Sequence, residues 1–125
     1  MPRDFHNVRA WQLADDLAVA VYAATAGFPK HELYGLTQQV RRAVVSVASN
    51  IAEGCSRVSE VEYLRFCDIA HGSLAEVRYQ LHLAHRLGYV SDEVFGALDE
   101  QAQGVGRTLH GLMGAIRKQS RSPQQ

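Results

Sequence analysis

An all-α fold, arranged as an antiparallel up-down-up-down four-helix bundle, follows from three features of the sequence. Apolar residues recur every three or four positions through four long segments. Three short breaks, Gly27-Phe28-Pro29, Gly54 to Val58 and Gly88-Tyr89-Val90, separate them, and connections that short force consecutive helices to run antiparallel. The length of 125 residues suits a single core, since a chain of this size buries roughly two thirds of the surface its unfolded form exposes. The reading is one domain at residues 1–118 and a disordered C-terminal tail at 119–125, which lacks apolar periodicity and ends in Ser-Pro-Gln-Gln.

The first helix is expected from about Val8 to Thr25, with Asn7 as N-cap and Ala10, Ala14, Leu17, Val21 and Ala24 on its core face. Pro29 keeps it from fusing with the second, which spans about Leu36 to Glu53 and stops at Gly54. Ser59-Glu60-Val61-Glu62 reads as a capping box opening the third helix, with Val58 and Tyr63 placed to form a hydrophobic staple. Its core stripe is Tyr63, Phe66, Cys67, Ala70, Leu74, Val77, Leu81 and Ala84, along a rod of about 40 Å at roughly 1.5 Å per residue. The fourth helix opens at Ser91 with Asp92 and Glu93 in its first turn and carries Val94, Leu98, Ala102, Val105, Leu109, Leu112 and Ile116. Its five glycines, Gly96, Gly104, Gly106, Gly111 and Gly114, either admit a neighbouring backbone or make it the loosest of the four.

Composition excludes several classes. Thirteen basic and thirteen acidic residues leave a net charge of zero, so no global field draws the protein to nucleic acid or an anionic membrane. Met1 to Asn7 is polar, no stretch approaches the roughly 20 apolar residues of a membrane span, and a cytoplasmic location is expected. Cys55 and Cys67 lack further ligands at metal-binding spacing and read as reduced thiols, Cys67 in the core and Cys55 in a loop. His82 and His85 stand at i, i+3, but one Asp68-x-x-His71 falls short of the two Glu-x-x-His motifs of a di-metal bundle. His71, Arg78, His82 and His85 instead line one edge of the third helix's core stripe. No phosphate loop, dinucleotide fingerprint, nucleophile elbow or zinc-protease motif occurs, and no catalytic residue, cofactor or metal is assigned.

What remains after the core is assigned lies on helix surfaces. On a wheel of 100° per residue, Val45, Ala48 and Ala52 widen the apolar arc of the second helix to about 200°, with Arg41 inside the extension, whereas a bundle helix needs little more than 100°. Opposite the core stripe of the third helix lie Ile69, Gly72, Tyr79, Leu83 and Leu87, interspersed with Arg65, Glu76 and Arg86. A mixed apolar and charged face reads as a subunit interface, and a glycine inside a helix, about 1 kcal/mol worse than alanine, suits close approach of another backbone. Two unlike patches meeting head to tail close into a ring or grow into a filament.

The remaining sector of the second helix is polar: Gln38, Arg42, Ser46, Ser49, Asn50 and Glu53. Glu53 in the last turn opposes the helix dipole and calls for a cation, for which Arg57 is nearest. The stripe reads either as a network fixing the helix end or as the site of a ligand binder or enzyme.

The run Phe28-Pro29-Lys30, Tyr34-Gly35-Leu36-Thr37 and Gln39-Val40-Arg41-Arg42-Ala43-Val44-Val45-Ser46-Val47-Ala48-Ser49-Asn50-Ile51-Ala52-Glu53-Gly54 resembles the four-helix-bundle family of 23S rRNA intervening-sequence proteins, also labelled S23 ribosomal protein. Phe5, Val8, Trp11, Ile69 to Glu76 and Leu87-Gly88-Tyr89 extend the likeness over about residues 5 to 116. The resemblance implies a homopentameric ring. It also brings in the similar accessory variability proteins of diversity-generating retroelements, basic pentamers that bind a reverse transcriptase and its RNA. This chain departs in its zero net charge and in Ala48, where many relatives carry proline. The expected function is therefore a non-enzymatic homo-oligomer, an adaptor for RNA or a nucleic-acid enzyme, with Arg41, Arg57, Arg65 and Arg86 as candidate RNA contacts.

Overall fold

Each apolar stripe becomes one buried helix face. The computed structural model describes residues 3–120, with long helices α1 (Arg9–Thr25), α2 (Leu36–Cys55), α3 (Glu60–Arg86) and α4 (Asp92–Ser120) and short 3₁₀ turns at Phe5–Asn7 and Lys30–Glu32. Consecutive helices pack side by side and α4 returns against α1, while the diagonal pairs stay apart. The result is a four-helix bundle around one core, the antiparallel arrangement expected of such short connections.

The core follows the sequence reading with substitutions at the stripe edges. In α1, Thr25 rather than Ala24 completes the buried face, and its hydroxyl donates to the Val21 carbonyl at 2.8 Å, which satisfies it away from water. In α4, Val94 is exposed and Met113 is buried in its stead. Val94 and Leu112 share one edge of that stripe, about 50° from its centre by helix geometry, where coverage by the neighbouring helices ends.

Helix ends depart further from expectation. Asn7 lies within the first 3₁₀ turn, so Val8 takes the N-cap position of α1 without a side-chain bond. Ser59 caps α3 by accepting from the Glu62 N–H at 3.3 Å, but Val58 is exposed and no staple forms. Glu62 turns to Arg65 at 3.3 Å. At its far end α3 closes with a Schellman motif: Gly88, at φ 78°, donates to His85 O and Tyr89 to Ala84 O. Helix α4 runs through Gln119 and Ser120, two residues past the expected domain end, where Gln119 is a good helix former following Arg117 and Lys118, both favourable to the dipole. Residues 121–125 of the expected tail lie outside the described residues.

Gly54 does not stop α2. The helix continues through it to Cys55, which is fully buried rather than in a loop. What Gly54 provides is proximity: a Cβ there would lie 2.9 Å from Tyr63 Cδ1, 3.1 Å from Phe66 Cβ and 3.3 Å from the Tyr63 carbonyl oxygen. The start of α2 is held by a residue that precedes it. Gly35 at the N-cap has no side chain, and Glu32 supplies the acceptor: one carboxylate oxygen takes the Leu36 N–H at 3.1 Å, the other the Tyr89 hydroxyl at 2.8 Å. One carboxylate thereby ties the α1–α2 connection to the α3–α4 connection. Tyr89 also packs on Phe28, ring centroids 5.5 Å apart.

Two outcomes are expected. Gly54→Ala should lower stability by about 1–3 kcal/mol in denaturant unfolding, because two of the three obstructing atoms belong to backbone or Cβ and cannot swing away. The Leu36 N–H first, and then the Tyr89 hydroxyl, hold the Glu32 carboxyl below the usual carboxylate range. Its contribution is thus present at neutral pH and lost as pH falls through about 4 toward the folded value. Melting temperatures of Glu32→Ala should be lower than wild type at pH 7 and should fall less steeply between about pH 5 and 3.

Candidate subunit interface

The outer face of α3 is one exposed stripe over the helix's full length. Val61, Ile69, Tyr79 and Leu87 are 72, 43, 62 and 50% exposed, on the same side as Arg65, Gly72 and Glu76. Leu83, in the same register, is half-buried against the core. Nothing lies within 4 Å of the position a Gly72 Cβ would take, so within the bundle this glycine is not required for packing. Val61 extends the stripe to the first turn. Its spacing of four and eight residues from Arg65 and Ile69 carried that signal, masked by its place in the capping box.

The second patch is smaller than the wide arc of α2 suggests. Val45 is exposed, but Ala48 and Ala52 are half-buried and line a groove of about 320 Å³ with Phe5, Trp11 and Ala18. The polar N-terminal segment therefore covers part of the arc. Arg3 pins it there: its backbone N–H donates to Cys55 O at 3.0 Å, its guanidinium pairs with Glu60 at 2.8 Å and stacks 4.4 Å above the Tyr63 ring. Phe5 and Trp11 then meet edge to face, centroids 4.7 Å apart.

Arg41 also turns inward. Its Nε donates to Thr25 Oγ1 at 2.8 Å and Nη2 to the Tyr22 carbonyl at 3.4 Å, with the guanidinium 4.7 Å from the Tyr22 ring. A cation at the C-terminal end of α1 complements the helix dipole. Of the other arginines singled out for RNA, Arg57 pairs with Glu53 at 2.8 Å and stacks on Phe66, and Arg65 pairs with Glu62 and stacks on the same ring. Arg86 is the member of the set without a pairing partner among the described residues.

The polar stripe of α2 divides into parts with different neighbours. Ser46 Oγ lies 2.8 Å from Ser73 Oγ of α3, and Asn50 Nδ2 donates to the Ser46 carbonyl at 2.8 Å and to its hydroxyl at 3.0 Å. Arg42 lines the polar α2–α3 groove above that network, a space of about 370 Å³. Ser49 faces the opposite groove beside Ala52, and Glu53 belongs to the Arg57 pair. No three His, Cys, Asp or Glu side chains among the described residues are grouped to hold a metal ion. Burial pushes the Cys67 thiol up to about 12, and Cys55 Sγ sits 3.5 Å from Tyr63 Oη in the core. Both thiols are fully buried, and a reactive cysteine needs access.

Comparison with known proteins identifies relatives of the fold and family. The family described as 23S rRNA-intervening sequence protein matches residues 6–111. A crystal structure of a protein of unknown function, from the S23 ribosomal protein family of Bacteroides thetaiotaomicron, is similar with a TM-score of 0.78. It is 18% identical, and the match covers 84% of this chain and 95% of that one, a likeness of fold. No curated protein matches. No described helix is long and apolar enough to cross a membrane.

The Ser46–Ser73 contact gives the next expected outcome. Ser46→Ala should cost about 1 kcal/mol in denaturant unfolding, since it strands the part-buried Ser73 hydroxyl and one Asn50 donor. Ser49→Ala, on the same stripe but exposed, should stay within about 0.5 kcal/mol of wild type.

Proposed function

The chain belongs to the 23S rRNA-intervening sequence protein family, and we propose that it works as a non-enzymatic, self-assembling helical bundle. Its subunits join head to tail through the outer stripe of α3 and the outer sector of α2 around Val45. The observation that carries this reading is the α3 stripe: four large apolar side chains stand exposed along a rod of about 40 Å. Such a face on an isolated subunit leaves apolar area in water worth about 25 cal/mol per Å² if covered. Unlike patches on one subunit form a heterologous contact, and closure into a ring satisfies every copy. The number five comes from the resemblance to ring-forming members.

The absence of chemistry from the proposal has its own support. Ser46, Asn50 and Glu53, three of the six residues of the polar stripe of α2, make their bonds within the bundle. A role as adaptor for RNA loses three of its four candidate arginines, since Arg41, Arg57 and Arg65 are already engaged within the bundle.

Light scattering coupled to size exclusion should give about five times the 13.8 kDa chain mass. Gly72→Glu should shift the particle toward monomer while circular dichroism keeps its helical signal, because a Cβ at position 72 meets only open space within the subunit. A wild-type monomer at micromolar concentration would remove the proposal. A stable dimer or tetramer would leave the stripe as an interface and overturn the ring of five.

A further inference from the structure

The seam between α3 and α4 changes character along its length. Near the C-terminal end of α3 two basic groups on this seam meet carboxylates. His85 Nε2 lies 2.6 Å from an Asp92 oxygen, and Arg78 donates from Nε and Nη2 to the two oxygens of Asp99 at 3.1 and 3.4 Å. Two turns further along α4 the acids run out. His71 of α3 and Arg107 and His110 of α4 line a groove that has no carboxylate among its lining residues. None of the three has a hydrogen-bond or ion-pair partner among the described residues. The groove measures about 450 Å³, and the apolar side chains of Leu74 and Ala102, both buried, form its floor.

This juxtaposition specifies a ligand chemistry. A guanidinium presents a fork of donors matched to phosphate oxygens, and each imidazole adds at least one more N–H from the flanks. A carboxylate offers two oxygens, a phosphate monoester three. The cationic stretch is short: Asp99 bounds it on one side, so it offers one phosphate position rather than the track of contacts a nucleic-acid backbone requires. The volume falls within the roughly 300–1,000 Å³ of small-molecule pockets, and the apolar floor calls for a ligand with a flat or apolar part.

We propose that the α3–α4 groove binds a nucleoside monophosphate, with Arg107, His71 and His110 holding the phosphate and the Leu74–Ala102 floor supporting the nucleoside. The site stands apart from the assembly reading. On α3 it occupies the flank facing α4, whereas the exposed stripe lies on the outer face, so ligand binding and oligomeric state are read separately.

Titration calorimetry on the full chain tests it with adenosine 5′-monophosphate as probe and adenosine, inorganic phosphate and a short single-stranded RNA as arms. The monophosphate should bind, with adenosine and inorganic phosphate each weaker by about tenfold or more, because each retains only half of the contacts. Arg107→Gln should weaken the monophosphate by about tenfold or more, the measure of a lost charge-assisted pair, while Arg9→Gln on α1, which does not line the groove, leaves it unchanged. Circular dichroism of both variants checks that the bundle is intact. Absence of monophosphate binding, or retention of it in a folded Arg107→Gln, would overturn the proposal. So would inorganic phosphate binding equally well, which removes the floor, or RNA binding far more tightly, which replaces the single site by a track.

Discussion

The close approach of the last turn of α2 to the first turn of α3 is the constraint on which the rest of the bundle depends. Tyr63 lies almost wholly inside the core, its ring against Gly54 and its hydroxyl beside Cys55. No side chain larger than hydrogen fits at position 54 without moving Tyr63, Phe66 or their backbone. Burial, and then the Cys55 contact, raise the Tyr63 phenol well above its ordinary value, so it stays a neutral donor and acceptor in the core. Because the two helices meet so tightly here, only a short connection separates them, and the corner constrains the direction in which α3 leaves α2.

From that corner the packing propagates outward through arginine. Arg3 crosses the Tyr63 ring and Arg57 covers Phe66, each also paired with a glutamate. These side chains shield aromatic faces with their planar guanidinium groups while retaining water on the other side. At the opposite corner Arg41 does the same over Tyr22 and closes α1. A composition with eleven arginines to two lysines becomes intelligible in these terms. Planar stacking and bidentate pairing need a guanidinium, and an ammonium would satisfy neither. The same engagement removes Arg41, Arg57 and Arg65 from the free cations of the surface.

The surfaces then separate into faces with distinct chemistry. The outer stripe of α3 is apolar and unpartnered, the α2–α3 seam is closed by a serine pair, and the α3–α4 seam grades from neutralised ion pairs to unpaired nitrogen donors. An antiparallel bundle makes such segregation possible. Each helix presents one flank to each neighbour and one face outward, so the side chains at one angle on the wheel share one environment along about 40 Å. Helix α3 shows this most fully, with a core face, two unlike seams and an exposed stripe.

The sequence by itself determined the number of helices, their order, nearly every core position and the outer stripe of α3. Those features follow from 3.6-residue periodicity, a property of the local chain that survives any arrangement of the helices. Pairs close in sequence were legible for the same reason: Ser59 with Glu62 and Glu53 with Arg57 are three and four residues apart. Only the tertiary structure decided what Gly54, Glu32 and Arg41 do. Gly54 reads locally as a stop but admits Tyr63. Glu32 caps a helix it does not belong to and holds Tyr89, 57 residues away. Arg41 and the N-terminal segment take up apolar and polar surface that the wheel of α2 left open. These contacts join residues distant in the chain, and a periodicity measured along one helix contains no information about which foreign side chain arrives at its edge.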